Sequence, residues 1–260
     1  VFEPGSTFKM VTVAAALEAN LIDPNDLIDC EQGGITINRI RIRDHHPYGL
    51  LTVRQVLAKS SNVGAIKIGL TAGAERLDRQ VRAFGFGRPT GVDLPGESGG
   101  MLRARQNWPP MTDVFMSFGH GFAVTSLQLV NASAAVANGG TLYRPYVVST
   151  LGDGASRRAE AVGRVLHPAT ARSLERLLEE VVENGTARRA AIPGYRVACK
   201  TGTPQKLSID GDGYSNSRYM ASFVGFAPAR RPRLAVLVMI DEPEGGLEGG
   251  QVAAPTFRAI

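Results

Sequence analysis

Tyr195-Arg196-Val197-Ala198-Cys199-Lys200-Thr201-Gly202-Thr203 reads as a strand and opens a run of three, with residues 219–226 and 233–240 following across short connections that carry Pro or Gly. Strands this close in sequence predict an antiparallel sheet, and the Ala-rich tail at residues 252–260 predicts a helix laid over it. Upstream the spacing of apolar residues turns helical. Helices are expected at residues 7–20, with Ser6 at the start and Asn20 as the stop, and at about 52–59 and 63–71, flanking Ser60-Ser61-Asn62. Others are expected at 74–84, after the capping box Thr125-Ser126-Leu127-Gln128 as far as Asn138-Gly139-Gly140, and at 169–183 between Pro168 and Asn184-Gly185. Residues 35–43 alternate and read as one half-buried strand with its Ile side inward, whereas residues 85–121, rich in Gly and Pro, read as irregular. The fold class is α+β: an antiparallel sheet covered by helices plus a mostly helical lobe, with the cleft between them as the place for chemistry.

Composition narrows the options. The 260 residues are 43% hydrophobic and 20% charged, with a formal charge of +5, which is globular and excludes a disordered chain. The 30 glycines follow no fixed period, which excludes a fibrous repeat. The longest apolar run, residues 234–240, is far short of the ~20 residues that span a bilayer. Val1 leads directly into Pro4-Gly5-Ser6 with no basic-then-apolar leader, so the sequence is expected to be a fragment of a longer chain. Cys30 and Cys199 stand too far apart in sequence to suggest a disulfide framework or a metal site. Only five of the 29 basic residues are Lys, so each lysine can be weighed individually.

Two of those lysines fall in chemically suggestive places. A serine hydroxyl is a poor nucleophile until a base takes its proton, and Ser6-Thr7-Phe8-Lys9 puts a hydroxyl and an amine three residues apart, on one face of a helix. Free N–H groups at a helix start can also stabilise an oxyanion. Lys9 serves as a base only if its surroundings keep it neutral, by burial or by a nearby cation such as Lys200. Ser-x-x-Lys alone is weak; Lys-Ser/Thr-Gly is expected by chance only about 0.06 times in such a composition. Ser6-x-x-Lys9, Ser60-x-Asn62 and Lys200-Thr201-Gly202 each occur, in that order, at a helix start, an interhelical loop and a strand.

In this order the three motifs resemble those of the penicillin-recognising serine acyltransferases, the penicillin-binding proteins and serine β-lactamases. Glu3-Pro4-Gly5-Ser6-Thr7-Phe8-Lys9, Ser60-Ser61-Asn62-Val63-Gly64, residues 91–97, residues 124–129, Asn138-Gly139-Gly140, Lys200-Thr201-Gly202-Thr203 and residues 249–255 extend the likeness to class B penicillin-binding proteins over nearly the whole chain. Asn62-Val63-Gly64 resembles the cell-division (septal) D,D-transpeptidase type. The resemblance implies that Ser6 attacks the carbonyl of a D-Ala-D-Ala stem peptide, that Lys9 takes its proton, and that Ser60 passes a proton to the leaving amine. It implies further that Asn62 holds the substrate amide, that Lys200 supplies positive potential, and that Thr201 and Thr203 meet the substrate carboxylate beside Gly202. The N–H groups of Ser6 and Thr203 would form the oxyanion hole. It implies no cofactor and no metal, peptidoglycan stems and β-lactams as ligands, and membrane proteins of division as partners through regions absent from this sequence. The place implied is the outer, periplasmic side of the cytoplasmic membrane, reached by a missing anchor.

The alternatives within enzymes are a D,D-carboxypeptidase or a β-lactamase; outside them, a non-catalytic penicillin-binding sensor domain. A fast β-lactamase needs a base for water, and the Glu-x-x-Leu-Asn segment of class A enzymes is missing. Leu247-Glu248 stands before Gly249 where relatives often carry paired aromatics. His45-His46 has no further spaced ligands and reads as a loop. His120 reads as packed or solvated, with the rim of the cleft as the sharper alternative, and Cys199 as a small buried residue on the face of the strand opposite Lys200. Arg39, Arg41 and Arg43 read as a solvated strand face, or as a contact for an anionic polymer or protein. No basic-aromatic pattern points to nucleic acid.

Overall fold

The computed structural model describes residues 1–150, 152, 156–208 and 213–260. The chain enters through a 3-10 turn, Gly5–Phe8, and only then becomes α1 (Lys9–Glu18). The expected single helix from residue 7 with Ser6 at its start is therefore corrected: Ser6 lies inside the turn. Gly5 is the cause. It sits at φ +53° with its amide bonded to Gly119 O at 2.9 Å, and a Cβ there would fall 2.9 Å from the Pro204 ring. α1 is buried from Lys9 to Leu17, so it is the axis of the helical lobe rather than a surface helix.

The expected nine-residue strand is instead a hairpin. β1 (Leu27–Asp29) is followed by β2 (Gly34–Ile37) and β3 (Ile40–Arg43), which pair antiparallel with Ile35 opposite Ile42. Asn38 and Arg39 both take positive φ, 47° and 67°, the backbone that a two-residue hairpin turn needs. The apolar pattern changes phase at the turn, from Ile35 and Ile37 to Ile40 and Ile42 with two polar residues between, which a single continuous strand does not explain and a reversal does. Ile35 and Ile42 face inward, while Arg39, Arg41 and Arg43 are exposed.

β4 (Leu50–Thr52) pairs with β1 and leads into α2 (Val53–Lys59), which Thr52 and Gln55 cap reciprocally. α3 (Asn62–Ala72) and α4 (Ala74–Ala83) follow; α1 packs against both. The irregular stretch contains the short α5 (Thr112–Met116), and then the Thr125–Gln128 capping box opens α6 (Ser126–Ala137) as expected. β5 (Thr141–Tyr143) and β6 (Ala161–Arg164), which the sequence pattern did not show, precede α7 (Pro168–Glu183).

The decisive sheet has the order β10 (Leu234–Asp241), β9 (Tyr214–Ala227), β7 (Ala198–Gly202), all antiparallel, with the three-residue β8 (Gln205–Leu207) also paired to β9. α8 (Gly249–Ala259) packs on this sheet and α7 packs on β7. The Gly249-Gly250 pair lets α8 approach strand backbone: a Cβ on Gly249 would lie 2.2 Å from Ser222 O, and one on Gly250 2.0 Å from Thr186 O. Cys199 is buried on the sheet face away from the cleft, against Gly225, and burial pushes its thiol up, so it is inert packing. No helix among the described residues is long and apolar enough to cross a membrane.

Candidate active site

Three chain segments meet where the sheet abuts the helical lobe. The end of β7 presses on the Ser6 turn: a Cβ at Gly202 would lie 2.9 Å from Thr7 Cγ2 and 3.1 Å from Pro4 O. From the other side, Ser60 closes α2 in the left-handed conformation (φ 60°), which turns the chain so that Ser60 and Asn62 both face α1.

Lys9, fully buried, joins these segments. Its Nζ donates to Ser60 O at 2.6 Å and Asn62 Oδ1 at 2.7 Å, and lies 3.2 Å from Ser60 Oγ. Lys200, also fully buried, reaches the same hydroxyl at 3.0 Å and its neighbour Thr201 O at 3.1 Å. Burial first, then the Lys200 charge, hold Lys9 well below the ordinary lysine range, with Asp44 and Cys30 acting in the opposite direction. Burial pushes Lys200 down to about 8. Ser6, half-buried, stands one turn before Lys9.

Asn62 is occupied on both sides of its amide, since Nδ2 donates to Arg43 O at 2.9 Å. One N–H and one lone pair remain for a ligand. The Thr201 and Thr203 hydroxyls are engaged as well. Thr201 shares a 2.7 Å bond with Thr186, in the loop after α7, and Thr203 accepts from Gly249 N at 3.1 Å.

Two residues that sequence reasoning missed border this cluster. Thr186 is one; the other is Asp44, whose carboxylate accepts from Ser61 Oγ at 2.6 Å, from Val63 N at 3.0 Å and from Asn62 N. Neither lies at a motif spacing, although Asn184-Gly185 marked the turn that delivers Thr186. His120 is packed between the rings of Phe118 and Tyr214: its Nδ1 is 3.0 Å from Glu3 Oε2, while Glu3 Oε1 accepts from Gly121 N at 2.8 Å and from Tyr214 Oη at 3.1 Å.

The family described as penicillin binding protein transpeptidase domain matches residues 1–260. The chain belongs to this transpeptidase family. Stage V sporulation protein D of Bacillus subtilis is 39% identical over all of this chain and 41% of its own length, and peptidoglycan D,D-transpeptidase FtsI of Escherichia coli 37% over all of this chain and 43% of its length. The chain thus spans less than half the length of these curated relatives. Among solved structures, the apo TP domain of Burkholderia pseudomallei penicillin-binding protein 3 has a TM-score of 0.90 at 40% identity, covering 99% of this chain and 77% of that one. Penicillin-binding protein 3 of Mycobacterium tuberculosis in complex with aztreonam has a TM-score of 0.92 at 33% identity, covering 99% and 61%. Membership in the transpeptidase family agrees with the α+β architecture, and in this member the two lysines converge on one hydroxyl, that of Ser60.

Proposed function

We propose that this chain is the catalytic domain of a serine-type peptidoglycan D,D-transpeptidase of the cell-division type, acylated through Ser6. The observation that carries the reading is the coordination of Lys9. Ser60 O and Asn62 Oδ1 are pure acceptors, so they consume two N–H bonds of the side chain. A neutral amine has only two, so its lone pair is left to accept a hydroxyl proton; Ser60 Oγ stands 3.2 Å away and Ser6 one turn before. Burial and Lys200 favour that neutral form.

In this reading Ser6 Oγ bonds to the penultimate D-Ala carbonyl as Lys9 accepts its proton. The peptide C–N bond then breaks, and the terminal D-Ala leaves with a proton passed through Ser60, whose hydroxyl touches both lysines. Charged Lys200 and the hydroxyls of Thr201 and Thr203 draw the substrate carboxylate, Asn62 orients the substrate amide, and the Ser6 and Thr203 amides receive the oxyanion. The acyl group passes to an amine of a second stem, forming a cross-link. β-Lactams occupy the donor place; the relatives' complexes with aztreonam and ampicillin support this. The greater length of the relatives supports one further part of the proposal, that the whole protein carries an anchor and meets division proteins at the outer side of the cytoplasmic membrane.

The test follows the fate of the acyl-enzyme by intact mass. A penicillin adduct should persist for many minutes, and a thioester donor should yield a new amide when a D-amino acid is supplied. Rapid return of free enzyme would mark a hydrolase; an adduct with no transfer to any acceptor would mark a sensor domain.

Thr186 supplies a second prediction. A hydroxyl has one proton, so Thr201 can donate to a carboxylate only when Thr186 is the donor in their mutual bond. Thr186→Val frees the Thr201 proton but removes the bond that orients it, so the penicillin acylation rate constant should fall severalfold, in keeping with loss of one neutral hydrogen bond of about 1 kcal/mol, and Thr186→Ser should restore it. Equal rates for all three chains would remove Thr186 from the site.

A further inference from the structure

The interhelical turn that presents Ser60 and Asn62 meets α1 through Lys9 and is held from its other side by the segment just after β3. The Asp44 carboxylate takes the first two amides of α3, those of Asn62 and Val63, and the Ser61 hydroxyl. Ser61, fully buried, in turn accepts from Gly64 N at 2.9 Å, so three successive orphan donors of this helix end are met by Asp44 and Ser61. Arg43 O then holds the Asn62 side chain by its Nδ2, leaving Oδ1 aimed at Lys9. Each atom that Lys9 touches thus belongs to a turn pinned by residues 43 and 44.

Charge adds a second link. Lys9 and Lys200 are both fully buried and share Ser60 Oγ. The groups acting electrostatically on Lys9 are Lys200 from β7, Asp44 from the end of β3, and the Cys30 thiol, which accepts from Ser61 at 3.4 Å. Of these, only Asp44 carries negative charge at neutral pH.

We infer that Asp44 is a positioning residue for the acyl-transfer site, holding Asn62 where it receives Lys9 and standing, among the described residues, as the anionic counterweight to Lys9. The inference rests on the transpeptidase reading for its rate readout, but not for its titration readout. A nearby carboxylate favours the ammonium, so Asp44 works against the burial that makes Lys9 a base, and removing its charge must lower the pH at which Lys9 gives up its proton.

The decisive variant is Asp44→Asn, which keeps an acceptor for the α3 amides and an amide N–H toward Ser61 Oγ while deleting the charge. Because the protein has five lysines, 13Cε-lysine NMR can follow each one, with Lys9→Met assigning the signal. The Lys9 midpoint should fall by at least about half a unit in Asp44→Asn, and the acid limb of penicillin acylation should move down with it. An unmoved or raised midpoint would overturn the inference. Asp44→Glu keeps the charge and changes the reach, so it should leave the midpoint in place and slow acylation severalfold; a parental rate would overturn the positioning half. Should the parent protein form no adduct with penicillin, the reading of Ser6 fails, while the titration still decides the role of Asp44.

Discussion

Ser6→Ala removes the penicillin adduct altogether: intact mass after prolonged exposure shows only the unmodified chain, while the parent protein gains one penicillin. The expectation follows from geometry rather than from the motif alone. Two hydroxyls are close to the lysine cluster, Ser6 and Ser60, and they are not equivalent. Ser60 Oγ lies 3.0 Å from Lys200 Nζ and 3.2 Å from Lys9 Nζ, so its lone pairs are already engaged by the two side chains and it is placed to relay a proton rather than to attack. Ser6 is half-buried in a turn whose backbone abuts the end of β7, one turn before Lys9. The substitution deletes one oxygen and no packing, so melting should change by less than about 0.5 kcal/mol equivalent. Loss of the adduct is then chemical and not a consequence of unfolding. An adduct of unchanged yield on Ser6→Ala, found on Ser60 by peptide mapping, would overturn the mechanism.

How much of this was legible beforehand depends on the range of the interaction. Local rules carried the capping box at Thr125, the helix opened by Pro168, and the strand holding Lys200, because each is settled within a few residues. The hairpin at residues 34–43 fails as a single strand because the apolar period changes phase at Asn38-Arg39, from Ile35 and Ile37 to Ile40 and Ile42, a signal short enough to pass for continuous alternation. The 3-10 geometry at Ser6 was invisible for another reason: Gly119 and Pro204, far along the chain, impose it on Gly5. Candidate site residues were found where a spacing linked them, as in Ser6 and Lys9. Asp44 and Thr186 were not, since what ties them to Asn62 and Thr201 is hydrogen bonding across 18 and 15 residues of sequence with no periodic trace.

Lys9→Met is expected to slow acylation by about 10²- to 10⁴-fold, the usual contribution of a positioned general base, while Lys59→Ala leaves it unchanged. The two lysines differ in setting. Lys59 is an exposed surface group 3.4 Å from Asn184 O, whereas Lys9 is fully enclosed and its removal leaves Ser60 O and Asn62 Oδ1 without their donor. Met fills most of the vacated volume, so the defect reads as lost chemistry more than as a cavity. The parent protein should show a bell-shaped pH dependence, and the sign of each limb follows from which form is needed. Lys9 must be neutral, so the rate climbs as pH rises through its depressed value, well below the ordinary 10.5. Lys200 must be charged to draw a carboxylate, so the rate falls as pH passes about 8. Lys9→Met should erase the rising limb and keep the falling one, because only the acceptor of the Ser6 proton has been removed. Persistence of the rising limb in that variant would show that another group serves as the base, and the Ser6–Lys9 pairing would have to be abandoned even if Ser6 remains the residue that is acylated.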